Sequence, residues 1–180
     1  MKKIAIDLDT CMIALKTVDI ASIILGYDYK EQDNKDWNFS IFPEDLRQKV
    51  FQFFDDPFIM CDHVKVIPGC QDKLEEWVHK GYSLEVVTAR REKIRHKTVE
   101  MIHTKFPQIS VVNFVAFDES KKEILKKINP DLFIDDAPHN ILDALEIGIN
   151  TTMISNKYTL YNHHLRDKVK WVKAIKDIEL

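Results

Sequence analysis

Lys3-Ile4-Ala5-Ile6-Asp7-Leu8-Asp9-Thr10-Cys11 is the stretch from which the fold can be read. Its apolar run is too short to be anything but a strand, and it stops abruptly at two carboxylates. The same pattern returns at Leu132-Phe133-Ile134-Asp135-Asp136, after Asn129-Pro130 has ended the helical spacing of Ile124, Leu125 and Ile128. Two buried-looking strands therefore terminate in paired acids.

Strand and helix alternate between and beyond these two points. Leu74, Trp77 and Val78 share one face of a helix stopped by Gly81, and a strand over 83–87 follows, ending at Thr88-Ala89-Arg90. Ile94, Met101 and Ile102 mark the next helix, Phe106-Pro107 breaks it, and a strand lies within 111–117. After Pro138, the spacing of Ile141, Leu142 and Leu145 gives a helix ending near Gly148, and the β-branched run 151–154 gives one more strand. From Tyr161 onward, Leu165, Val169, Val172 and Ile175 recur at intervals of three and four, which predicts a docking terminal helix. The alternation predicts an α/β fold, a doubly wound, three-layer parallel sheet with helices on both faces. In such sheets ligands gather outside the carboxyl ends of the strands, where the acidic pairs fall.

The stretch 14–66 breaks the alternation. It is long, rich in Asp, Lys and Phe, and reads as a helical cap inserted after the first strand, with 1–13 and 67–180 forming the core. Leu46, Val50, Phe53 and Phe54 fall at helical spacing, just after Trp37, Phe39 and Phe42, so packing within the cap is their first explanation.

Composition narrows the class of function. At 180 residues, 45% apolar and 31% charged, the chain suits one core with a modest insertion and excludes a disordered or fibrous protein. A net charge of -3 offers no general attraction to a nucleic-acid polymer or an anionic membrane, and no apolar run is long enough to span a bilayer. Cys11, Cys61 and Cys70 lack the spacing of a disulfide framework or a zinc site, which fits a cytoplasmic location. The histidines show no paired ligand spacing and read as surface residues.

The chemistry starts at Asp7 and Asp9. At a strand end the chain turns, so both carboxylates can converge on one pocket. One carboxylate can attack phosphorus to form an aspartyl phosphate, and a second acid two positions on can protonate the leaving oxygen and later deprotonate water. Asp7 is the expected nucleophile and Asp9 the proton shuttle. Carboxylates meeting there would repel one another without a cation, and oxygen-only ligation by Asp7, Asp9, Asp135 and Asp136 favours Mg²⁺. Thr88 and an ammonium early in the helix over 119–128 would supply donors to the phosphoryl oxygens, with Lys121 the first choice and Lys122 beside it as the alternative. Arg90 is a candidate for phosphate or sugar, or simply a residue opening the next helix. Cys11 lies close to this site, but no histidine partner accompanies it and a buried thiol is the commoner state.

Asp7-Leu8-Asp9, Thr88, Lys121 and Asp135-Asp136 occur in the order and at the strand ends used by the phosphatases of the haloacid dehalogenase superfamily, which this sequence resembles. Within that superfamily the early helical insert, Val66-Ile67-Pro68-Gly69 and Thr88-Ala89-Arg90 resemble the cytosolic 5'(3')-deoxyribonucleotidases and nucleotidase-like proteins. The resemblance implies a Mg²⁺-dependent phosphatase acting on a small phosphorylated substrate, a nucleoside monophosphate, with the base held under the cap near Trp37 or Phe39. One departure stands out: where these proteins follow the second Asp with Gly, this chain has Thr10 and then Cys11, which would be strained if the loop needs a positive φ.

Other readings remain at this level. They are a phosphatase for another small ester, a phosphoryl-accepting receiver domain, and a noncatalytic metal- or nucleotide-binding protein; pairing with a second copy is left open. The receiver is disfavoured because the lysine precedes the final acid pair and an insert interrupts the first crossover. Helix capping by Asp is the bland explanation of the acids, and it accounts for one pair more easily than for both.

Overall fold

A computed structural model describes residues 1–34, 39–117, 119–155, 165 and 167–180 of the chain. Six strands form one sheet: β1 (Lys2–Ile6), β4 (Tyr82–Thr88), β5 (Ile109–Phe114), β6 (Leu132–Asp135), β7 (Thr151–Ile154) and β8 (Lys170–Val172). Their order is β5-β4-β1-β6-β7-β8, and every pairing is parallel. The chain leaves β1 toward β4 and β5 on one side and later returns to β6 on the other. The crevice above β1, β4 and β6 is therefore the topological switch point.

Side-chain alternation in the central strands feeds two cores. Ile4, Ile6, Leu84, Val86, Leu132 and Ile134 enter the larger one, joined by Trp77 and Leu74 of α3 (Cys70–His79) and Met101 and Ile102 of α4 (Arg95–Lys105). Ala5, Val87 and Phe133 point the other way, against Leu125 and Ile128 of α5 (Lys122–Ile128) and Ala144 of α6 (Pro138–Glu146). Strands buried on both faces read as continuous apolar runs, which is why Ile4-Ala5-Ile6 and Leu132-Phe133-Ile134 show no polar alternation. Val78 and Leu142 are more than a third exposed, because each lies about one residue's rotation away from its helix's buried stripe.

After β1 the chain enters β2 (Ile13–Ala14), passes through α1 (Thr17–Leu25) and α2 (Glu44–Gln52), and returns through a π-helical turn, Phe58–Asp62, to β3 (Lys65–Val66). β2 and β3 pair antiparallel, Ile13 opposite Val66, so the segment departs and returns on a two-stranded stem. It carries its own apolar cluster of Val18, Ala21, Phe39, Phe42 and Val50. Trp37 lies outside the described residues. Among those described, no helix is long and apolar enough to cross a membrane.

The carboxyl-terminal expectation needs correction. Within 167–180 there is no α-helix: β8 adds to the sheet edge beside β7, with Met153 opposite Trp171, and a short 3₁₀ turn spans Ile175–Asp177. The helical spacing was a coincidence of two cores. Leu165 packs with Ile141 and Met153, whereas Val172 and Ile175 belong to the large core. Aromatic and β-branched residues at 171 and 172, facing an open parallel edge, favour a strand. Residues 161–164 and 166 of the expected helix lie outside the described residues.

Ile175 is fully buried in the large core, whereas Ile23 of α1 is 80% exposed. Ile175→Ala should cost about 2–4 kcal/mol in urea unfolding, and Ile23→Ala no more than about 0.5 kcal/mol. Equal losses would contradict the placement of the carboxyl terminus.

Candidate active site

Three neighbouring strand ends deliver the site. Asp7 follows β1, its N–H donating to the Ile134 carbonyl at 2.8 Å; Thr88 closes β4; Asp135 closes β6. Beyond Asp7 the chain folds tightly. Met12 N–H reaches the Leu8 carbonyl at 3.0 Å, and Thr10 N–H reaches that of Ile13 at 2.8 Å. Leu8, Cys11 and Met12 are fully buried and anchor this loop from below, while Asp7, Asp9 and Thr10 line the pocket above. The turn requires φ of 64° at Thr10, the left-handed region that favours glycine. Its hydroxyl donates to Asp136 Oδ2.

Lys121 precedes α5 and is almost completely buried. Its ammonium donates to Asp7 Oδ1 and, at 2.8 Å, to Asp135 Oδ2. Lys122, the alternative left open by the sequence, instead pairs with Glu146 at 2.6 Å on the outer face of the helix. Asp135 is further held by Asn140 Nδ2 at 3.0 Å and by the Ala137 N–H at 2.7 Å. Asp9 accepts two bonds from Arg90, Nη2 to Oδ1 at 2.7 Å and Nε to Oδ2 at 3.1 Å.

The seven sequence candidates Asp7, Asp9, Thr88, Arg90, Lys121, Asp135 and Asp136 thus share one pocket, but the four carboxylates do not share one environment. Those of Asp9 and Asp135 are taken up by Arg90 and by Lys121, Asn140 and Ala137. Asp7 and Asp136, with the Cys11 sulfur, bring ligand atoms within 4.8 Å of one another. Asn140 was not anticipated; the available signal was a polar residue within the first turn of a helix directly after an acidic strand end.

Burial pushes Asp7 up to about 7, against the pull of the Lys121 ammonium and with added repulsion from Asp135 and Asp9. Burial, then Asp135 and Asp7, also raise Asp136 well above the usual carboxylate range. Burial opposes the charge of Lys121, but Asp135 and Asp7 outweigh it and raise its pKa. The Cys11 thiol is pushed up by burial and by the neighbouring carboxylates, so it remains a protonated, inert group and not a nucleophile. Four carboxylates face two buried cations, Lys121 and Arg90.

The pocket above this floor has a volume of about 310 Å³. Its walls are apolar where the inserted segment overhangs: Phe39, Phe51, Phe54 and Met60 from the insert, Phe117 from the core. Phe54 and Phe117 face each other with ring centroids 6.2 Å apart, and the Arg91 guanidinium lies 4.6 Å from the Phe117 centroid while pairing with Asp55 at 3.3 Å.

Solved structures share this architecture. A haloacid dehalogenase-like family hydrolase from Streptococcus pneumoniae is 15% identical, with 95% of this chain and 92% of that one covered and a TM-score of 0.64. A predicted phosphatase from Clostridium acetobutylicum is 14% identical, with 97% and 94% covered and a TM-score of 0.68. A predicted phosphoglycolate phosphatase from Haemophilus somnus is 18% identical, with 98% and 96% covered and a TM-score of 0.66. At such identities the likeness establishes the fold. No curated protein matches the chain. The family model described as "5' nucleotidase, deoxy (Pyrimidine), cytosolic type C protein" matches residues 2–178, nearly the whole chain. The chain therefore belongs to the cytosolic type C 5'-nucleotidase family, and is a phosphoric monoester hydrolase built on the haloacid dehalogenase core.

Proposed function

We propose that the protein is a Mg²⁺-dependent 5'-nucleotidase that hydrolyses (deoxy)nucleoside monophosphates through an aspartyl phosphate on Asp7. The observation that carries this reading is the convergence of Asp7, Asp9, Thr88 and Lys121 under an apolar, aromatic-walled pocket of about 310 Å³. A charged floor suits a phosphoryl group and an aromatic roof suits a flat base.

The donor set fits a hard divalent cation. Asp7 and Asp136 offer buried oxygens within 4.8 Å of each other, and the excess of two carboxylates over cations is a charge one such ion would cancel. Asp7 and Asp136 are the residues that would hold it, leaving the protonated thiol of Cys11 as a neighbour. When bound, the cation supplies electrostatic stabilisation of the phosphoryl oxygens.

The chain's own residues do the rest. A carboxylate oxygen of Asp7 bonds to phosphorus as the ester P–O bond breaks, and the leaving oxygen takes a proton from Asp9 and departs as the alcohol. Water then attacks the aspartyl phosphate and gives its proton to Asp9. The bond between phosphorus and the Asp7 oxygen breaks, releasing inorganic phosphate and restoring both acids. Thr88 and Lys121 donate to the phosphoryl oxygens, and Asp135, held by Asn140 and the Ala137 N–H, fixes the ammonium. Residues 14–66 act as the cap over the substrate, with Phe39 a wall for the base.

Phosphate release from nucleoside and deoxynucleoside monophosphates, sugar phosphates and an aryl phosphate tests the reading. Release should be fastest from deoxynucleotides, lost with chelator, and lowered by roughly 10³-fold or more in a folded Asp7→Asn variant. Selective release from other esters would discard the nucleotide; wild-type rates in Asp7→Asn would discard the mechanism.

A second prediction comes from the raised carboxyl of Asp7. A carboxyl raised from 3.8 to about 7 adds stability that is fully present below its ordinary range and is lost as pH rises through about 7. In chelator, this contribution should lower the melting temperature between about pH 5 and pH 8. Saturating Mg²⁺ should restore about 5–10 °C at the higher pH and less at the lower one. An equal gain at both would show that the cation does not bind against these carboxylates.

A further inference from the structure

Arg90, a sequence candidate for phosphate or sugar, is fully engaged within the protein. Its side chain is only 1% exposed, against 24% for that of its partner Asp9, and every nitrogen of its guanidinium is engaged. Nε and Nη2 grip the two oxygens of Asp9 at 3.1 and 2.7 Å. Nη1 donates to Thr98 Oγ1 at 3.3 Å and to Cys61 Sγ at 3.4 Å. A guanidinium so committed cannot turn to a phosphate or a sugar without abandoning several buried bonds.

We propose that Arg90 is a positioning residue for Asp9, holding the proton-shuttling carboxylate at the leaving oxygen, and that it does not bind substrate. The inference rests on the phosphatase reading above. Each carboxylate oxygen has two lone-pair sites, so the fork occupies one on each and leaves one on each for a proton. The residual exposure of Asp9 is toward the pocket, which it lines. The planar fork fixes both the position and the plane of the carboxylate; a lysine would hold it at a single point and leave it free to rotate.

The other end of the clamp explains how the position is set. Thr98 belongs to α4 and is fully buried, and Cys61 belongs to the π-helical turn on the return leg of the inserted segment. Thr98 Oγ1 and Cys61 Sγ also lie 3.8 Å apart, so core helix, inserted segment and guanidinium form one contact. Single π turns recur at functional sites, and this one brings a residue of the insert onto the arginine behind the acid. The location of Asp9 thus depends jointly on the core and on the seating of the insert.

The step affected is the first one: phosphorus gains its bond to Asp7, the ester P–O bond breaks, and the proton of Asp9 passes to the departing oxygen. An alkoxide needs that proton far more than a nitrophenolate, which is stable as an anion. The test is therefore kcat/KM, with Mg²⁺, for a nucleoside 5'-monophosphate and for p-nitrophenyl phosphate. Arg90→Lys and Arg90→Ala should lower the value for the alkyl ester by about 10²-fold, and by about tenfold less for the aryl ester. Thr98→Val, which removes one anchor at nearly constant shape, should show the same selectivity at about threefold to tenfold, and so decides the matter if Arg90→Ala does not fold. Asp9→Ala combined with Arg90→Ala should be no slower on the alkyl ester than Asp9→Ala alone. Parallel losses on both esters, or an additive loss in the double variant, would overturn the assignment and return Arg90 to substrate binding or to folding alone. A wild-type protein inactive on both esters would overturn the phosphatase reading, and this proposal with it.

Discussion

The buried ammonium of Lys121 between Asp7 and Asp135 is the interaction on which the rest of the site depends. It ties the ends of β1 and β6 to the start of α5, so one charge links two adjacent strands and the helix packed behind them. Burying a lysine is costly, and truncating a member of such a cluster leaves the others uncompensated in a poorly solvating interior. The arrangement persists because each charge has an assigned partner: Asp135 takes Lys121, Asn140 and a backbone N–H, while Asp9 takes Arg90. Asp7 shares the Lys121 ammonium with Asp135, Asp136 accepts from the Thr10 hydroxyl, and burial raises both.

Much of this was legible in the sequence, for a physical reason. A parallel strand buried on both faces is largely apolar, so its end is marked where polar residues begin, as at Asp7 after Ile4-Ala5-Ile6 and at Asp135 after Leu132-Phe133-Ile134; Thr88 is less plainly marked, because β4 already carries Glu85. The alternation of strand and helix then gave the sheet, and the switch-point rule gave the crevice. Pairing was less visible. Nothing in the spacing of Asp7, Asp9, Asp135 and Asp136 says which partner each carboxylate takes, because that depends on Arg90 and Asn140 arriving from other elements. Lys121 and Lys122 differ by a rotation of one residue at a helix start, which turns Lys121 toward the strand ends and Lys122 toward Glu146. The carboxyl terminus misled because periodicity records burial and not the element that produces it: Leu165 and Val172 are buried in different clusters.

Thr10 shows a local rule broken for a local gain. A threonine at φ 64° costs on the order of 1–2 kcal/mol relative to glycine. In return its hydroxyl donates to Asp136, whose carboxyl sits among Asp135 and Asp7. A glycine would relax the turn but leave that donor absent, and a hydrogen bond of this kind contributes about 0.5–1.5 kcal/mol. The strain and the bond are of similar size, so the loop can accept a residue that backbone preference alone would reject.

Besides the apolar residues Ile59, Met60 and Val64 that it contributes to the large core, the inserted segment makes three contacts of different chemistry around the pocket. Phe54 approaches Phe117, Asp55 pairs with Arg91, and Cys61 accepts from Arg90. The first two close the rim above the charged floor, where a half-buried ion pair contributes modestly and the rings contribute mainly by excluding water. The third is buried and reaches the floor itself. Arg90 and Arg91 are consecutive, so the single turn leaving β4 bonds to the insert at both depths, once at the rim and once behind Asp9. Any shift of the insert relative to this turn must therefore act on the wall of the pocket and on the carboxylate beneath it together. In the proposed mechanism these two neighbouring residues would couple substrate enclosure to alignment of the acid, without any longer pathway through the protein being required.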